Sequence, residues 1–173
     1  EAPRTYLDTV PADVAVGIVT FDATVAVALE PTTDRSAARD VVDGLELARD
    51  TLLYDGIVAA IEATGDEGQR SVLVLSDGAD TGGEATLTDV TDRIASTRTL
   101  VDVVSLGQAG RALAPLQEMA EAGKGRVIRS TGRGLADDFR AEADVLASQV
   151  LVTAPLPEGF SATEATVEVV LPT

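Results

Sequence analysis

The chain has no cysteine, no histidine and no tryptophan, and Lys124 is its only lysine. The first two absences remove cysteine and histidine nucleophiles, histidine general bases and the nitrogen and sulfur ligands of ordinary zinc sites. Any metal held by these residues must be a hard ion bound through oxygen. Zero cysteine leaves the redox compartment open, because disulfide-free proteins occur on both sides of a membrane. Three Phe and two Tyr in 173 residues provide no aromatic platform for bases or sugars, so the core must be built from Val, Leu, Ile and Ala. Positive charge is scarce as well, with 13 basic against 29 acidic residues and a formal charge of −16. Such a field repels a polyanion and attracts cations and basic partners, which argues against nucleic acid as a ligand. It also keeps a protein soluble with no partner at all. No run of about 18 apolar residues is present, and no signal-peptide pattern opens the chain.

What is present is an apolar fraction of 45%, in a length that suits one α/β domain with a small appendage. VAVGIVTF at 14 to 21 reads as a buried strand, and Ala23 to Leu29 as its antiparallel hairpin partner at a sheet edge. Asp34 to Ala48 predicts a helix with Val41, Leu45 and Ala48 on one face. A loop at Arg49-Asp50-Thr51 separates it from a second helix carrying Leu53, Ile57, Ala60 and Ile61. Strands are expected over Val72 to Leu75, Leu100 to Leu106 and Arg126 to Arg129. They alternate with helices marked by Leu87-Val90-Ile94, by Leu113-Leu116-Ala120, and by Leu135 through Val150. This alternation predicts a doubly wound, mostly parallel sheet with helices on both faces and one antiparallel edge strand. Residues 1–150 form that domain. Residues 151–173, with Pro155, Pro157 and then ATVEVVLP, read as a linker and the start of a β-rich module.

The stretch VLVLSDGADTGG at 72 to 83 is the most informative one, because an unbroken apolar run stops at Ser76-Asp77-Gly78 and gives way to oxygen donors. A parallel strand thus delivers the Asp77 carboxylate to the sheet's carboxyl end, where α/β sheets bind ligands. The same residues also suit an ordinary turn or helix cap. Phosphate-binding loops, dinucleotide glycine fingerprints, nucleophile elbows and calcium-loop spacing are all absent.

VAVGIVTF at 14 to 21, DTLLYDGI at 50 to 57 and VLVLSDGAD at 72 to 80 together resemble the von Willebrand factor A domain, in the family's order and at roughly its spacing. The resemblance covers residues 1 to about 150, and is similar to A domains of actinobacterial membrane proteins. It implies a divalent ion, commonly magnesium and alternatively manganese or calcium, at a metal-ion-dependent adhesion site above the sheet. Thr51 matches the family's threonine and Asp77 its strand-tip aspartate, so both are expected metal ligands, with Asp80, Thr81 and Glu84 at the rim. For Thr51 the competing account is a helix N-cap; for the rim residues it is a solvated acidic loop. Met119, Tyr54 and Phe139 read as core.

The family's leading D-x-S-x-S string, which ends its first central strand, does not occur in these residues. Either it lies upstream of Glu1 or this member has abandoned the metal. The first is favoured because EAPRTYLDTV resembles the end of the helix that follows the missing strand. Its loss would leave two neighbouring strands with unpaired backbone and an apolar slot between them. The resemblance implies a non-enzymatic module that captures an acidic group of a partner protein through the ion, on the extracytoplasmic face of a bacterial membrane. The alternatives are a metal-independent scaffold of a membrane-associated assembly, or a magnesium-dependent phosphoryl-transfer enzyme using Asp77 and Asp80.

Overall fold

The computed structural model describes residues 2–45, 50–76, 80–107, 113–131 and 134–148. In chain order the elements are α1 (Ala2–Thr9), β1 (Val16–Phe21), β2 (Val25–Thr32), α2 (Arg35–Asp43), α3 (Leu53–Ala63), β3 (Ser71–Ser76), α4 (Leu87–Thr97), β4 (Leu100–Leu106), α5 (Ala114–Ala122), β5 (Val127–Ser130) and α6 (Leu135–Ala147). β1 and β2 form an antiparallel hairpin, and β3, β4 and β5 form a parallel sheet in that order. The expected α/β architecture is present, with the edge strand antiparallel as the hairpin signal required.

Side chains sort by strand period onto two faces. Val74 of β3 with Val101 and Val103 of β4 join Leu53, Ile57 and Ile61 of α3, Val90 and Ile94 of α4, and Leu116, Met119 and Ala120 of α5 in the larger core. On the other face Val104 meets Ala2 and Phe139, with Tyr6, Leu73, Leu75 and Ile128 packed against them. Met119 and Phe139 are therefore core residues, and Tyr54 packs against the larger cluster half-buried. Short connections carry the caps that the sequence advertises. Asp34 Oδ1 accepts from the backbone N–H groups of Ser36 and Ala37 at 2.9 and 3.2 Å, and Thr86 with Asp89 makes a reciprocal capping box.

Three boundaries differ from expectation. α2 stops at Asp43 rather than Ala48, because Gly44 takes the C-cap and its N–H bonds back to Asp40 and Val41; Leu45 is then 46% exposed instead of facing the core. Ala48 lies outside the described residues. β2 runs on through Pro31 to Thr32, which pairs with Val16, since an edge strand tolerates a proline that a central one would not. β1 begins at Val16, not Val14, whose carbonyl instead accepts a hydrogen bond from Arg35.

Among the described residues the two sheets share no backbone ladder. The Leu52 N–H donates to the Asp22 carbonyl just past β1, and the Tyr54 N–H donates to Asp80 just past β3. Both strands therefore end at the N-terminus of α3 and run in the same direction. Between them lies a cavity of about 610 Å³, lined by β1 and β3 on its sides, by α3 on one face, and by Tyr6, Leu7, Val42 and Phe139 on the other.

Near one end of the slot, Tyr6 packs edge-on against Phe139, with ring centroids 6.1 Å apart. Burial, then the nearby negative charges of Glu142 and Asp102, push the Tyr6 phenol up to about 12. Burial also raises Glu142, against the opposing pull of its bond from Arg126. A phenol raised in the folded state keeps its proton there after the unfolded chain has lost it. Stability is accordingly unaffected by Tyr6 below pH 10 and falls between pH 10 and 12, by roughly 2–3 kcal/mol in total. Urea melts at pH 9 and pH 12 should show this loss in the native chain and a much smaller one in Tyr6→Phe. Equal losses in both would mean that Tyr6 ionises as freely folded as unfolded.

Candidate functional site

The head of α3 and the loop after β3 are laced together by backbone and short oxygen side chains. Thr51 and Thr81 bond reciprocally: the Thr51 N–H donates to Thr81 Oγ1 at 2.9 Å, and the Thr81 N–H and hydroxyl donate to the Thr51 carbonyl at 2.9 and 3.1 Å. Asp80 accepts from the Tyr54 N–H through Oδ1 at 3.2 Å and from the Gly82 N–H through Oδ2 at 2.9 Å. Asp55, in the first turn of α3, accepts from the N–H groups of Glu84 and Ala85 at 3.1 Å each. A methyl group at Gly83 would stand 1.7 Å from the Asp55 carboxylate, so that loop closes only over glycine.

Thr51 is not the helix N-cap. That position belongs to Leu52, which has no side-chain cap, and no hydrogen bond from the Thr51 hydroxyl occurs among the described residues. The orphan N–H groups at the start of α3 are met instead by Asp80 and by the Asp22 carbonyl. Asp80 and Thr81 lie beside Thr51, with both Asp80 oxygens engaged by backbone. Glu84 is exposed, and the described bond it makes is through its backbone N–H to Asp55. Asp77 lies outside the described residues.

The structural work of Asp55 was not anticipated, although it stands in the DTLLYDGI string. A signal was available, since an acidic residue in a helix's first turn is placed to accept from nearby backbone N–H groups. Gly56 is the second residue missed. A Cβ there would fall 2.5 Å from the Cβ of Phe21, so the glycine lets the last residue of β1 lie against α3 and fixes where the two loops meet.

The donors brought together are all oxygen, which fits a hard divalent ion in kind. They fall short of one in number: among the described residues no three of His, Cys, Asp and Glu group closely enough to hold a metal. Among the described residues, the Thr51 hydroxyl donates to no partner at this place.

No family model matches the chain. An uncharacterised protein of Mycolicibacterium vanbaalenii designated UPF0353 is 32% identical over 91 residues, which is 47% of this chain; the match spans 27% of that relative's length. Among solved structures, a von Willebrand factor type A protein from Catenulispora acidiphila superposes over 82% of the chain and 36% of its own, with a TM-score of 0.66 and 22% identity. The two chains thus share a fold. The chain has a von Willebrand factor A fold. BatB from Bacteroides thetaiotaomicron superposes with this A fold over 84% of the chain and 85% of its own, at a TM-score of 0.65 and 18% identity. Proximal thread matrix protein 1 from the mussel byssus, with a zinc-occupied MIDAS motif, superposes over 77% of the chain and 36% of its own, at a TM-score of 0.59 and 18% identity. No helix among the described residues is long and apolar enough to cross a membrane.

Proposed function

We propose that this A fold is a protein-interaction module rather than an enzyme, and that its head binds a divalent ion through which an acidic group of a partner protein is captured. Thr51 and Asp77 are two of the oxygen ligands, the others coming from outside these 173 residues, and Asp80 and Thr81 form the rim. The observation that carries this reading is the Thr51 hydroxyl, which donates to no described residue, while the Asp80 and Asp55 carboxylates beside it both accept from backbone N–H groups. The ion is magnesium, manganese or calcium, all of which take oxygen donors. Supporting it, a solved A fold of this shape is described with an occupied MIDAS motif. The BatB likeness, and the further likeness to an aerotolerance-related membrane protein from Bacteroides fragilis, favour tethering at the extracytoplasmic face of a bacterial membrane.

Thr51→Val keeps the shape and removes the hydroxyl. In the longer protein that carries the remaining ligands, it is expected to weaken manganese binding about tenfold or more, read by isothermal titration, while the melting temperature of the metal-free form moves little. Manganese affinity unchanged by both Thr51→Val and Asp77→Ala would leave a metal-independent scaffold in place of this reading.

A further inference from the structure

The loop that follows β3 has little apolar surface with which to hold itself. Asp80, Thr81, Gly82, Gly83 and Glu84 include no hydrophobic residue, and 81–84 are exposed. Hydrogen bonds rather than burial therefore set its position. Apart from the turn that Asp80 closes on Gly82, the described bonds of 80–85 all reach the head of α3. Thr51 and Tyr54 supply backbone to them, whereas Asp55 supplies a side chain and does so twice. Its Oδ2 accepts from the Glu84 N–H and its Oδ1 from the Ala85 N–H. Two charge-assisted bonds to successive residues fix the loop in direction as well as in distance.

We propose that Asp55 is a positioning residue for the ion-binding head. By holding Glu84 and Ala85 on α3 it keeps Thr81 turned onto the Thr51 backbone, and so leaves the Thr51 hydroxyl to meet an ion. This rests on the reading of Thr51 as a ligand. Asp55 is not itself a ligand, since each of its oxygens is taken by a backbone N–H. Gly83 is the other half of the device. A Cβ there would stand 1.7 Å from Asp55 Oδ2 and 2.9 Å from its Cγ, so the loop crosses the carboxylate with no side chain between them. That conflict is with the end of a side chain and not with backbone. Gly83→Ala therefore displaces the carboxylate from its two bonds while its charge and the fold remain.

The test uses the longer protein that carries the remaining ligands. Without metal, Asp55→Ala and Gly83→Ala are each expected to quicken amide exchange at Thr81, Glu84 and Ala85 about tenfold, with exchange at Val103 in β4 unchanged. Titrated with manganese, each should bind about tenfold more weakly, and the double variant no more weakly than either alone. Neither should weaken binding further in a Thr51→Val background, because the effect passes through that hydroxyl. A manganese loss in Asp55→Ala that Gly83→Ala does not share would mean that the ion feels the carboxylate's charge and not its bonds, which overturns the proposal. A full further loss in the Thr51→Val background, the mark of a merely structural role, overturns it too. So does affinity unchanged by both variants while Thr51→Val alone weakens it, an outcome that leaves the ion reading standing. Thr51→Val without effect on manganese would instead remove the ion reading, and this proposal with it.

Discussion

Gly125→Ala is expected to lower stability by about 3–4 kcal/mol, and the melting temperature by about 10 °C. The turn from α5 into β5 passes directly over the backbone of β4. A Cβ at Gly125 would lie 2.1 Å from the Val101 carbonyl oxygen and 2.7 Å from Asp102 Oδ1, and neither is the loose end of a flexible side chain. Val101 is wholly buried, and Asp102 Oδ1 accepts from the Arg126 N–H at 2.8 Å. The Val103 N–H donates to the Arg126 carbonyl at 2.9 Å, so a shift of the turn also opens the first rung between β4 and β5. Gly65→Ala is the comparison. Its φ is +71° with no atom near the added group, and its cost is backbone strain of about 1 kcal/mol. Urea melts of the two variants separate steric exclusion from strain; equal midpoints would mean that the turn does not approach β4 so closely.

Leu53→Ala should cost about 3 kcal/mol and loosen the candidate site at the same time. Leu53 opens α3, is 1% exposed, and packs in the larger core. The preceding Leu52 provides no side-chain cap, so packing of Leu53 and the bond from the Tyr54 N–H to Asp80 hold this helix end in place. Once the leucine is truncated, amide exchange at Tyr54 and Thr81 should quicken by more than exchange at Val103 in the middle of β4. Val27→Ala, on the outer edge strand at 41% exposed, should change stability by less than about 0.5 kcal/mol. Uniform quickening at all three amides would show that α3 and the sheet open only together, with no local loosening at the site.

Strand and helix identities were legible because their signals were periodic and apolar. VLVLS, LVDVVSL and the Leu53-Ile57-Ile61 spacing each match what the core contains. The end of α2 was missed because a periodic reading carried Leu45 across Gly44, where a single C-cap outweighed the pattern. At the site, Thr51 bonds to Thr81, and Asp80 holds the next turn. The sequence offered no means of telling which carboxylates were spent on backbone, because those bonds join residues 26 to 30 positions apart. Likewise Gly56 looked like one more helical residue until Phe21 was found against it. Long-range contacts of this kind leave no local trace in composition or spacing.

α3 packs on both sheets, whereas no backbone ladder joins β1 to β3 among the described residues. Among the described residues, the two sheets are two stiff plates with a soft seam. Force applied along a hydrogen-bonded ladder loads many bonds together, but force drawn across the seam is resisted only by side-chain contacts between the plates and the helices that bridge them. The first rupture under tension should therefore run through the seam, with the β1–β2 hairpin leaving as a unit and the β3–β4–β5 plate still intact.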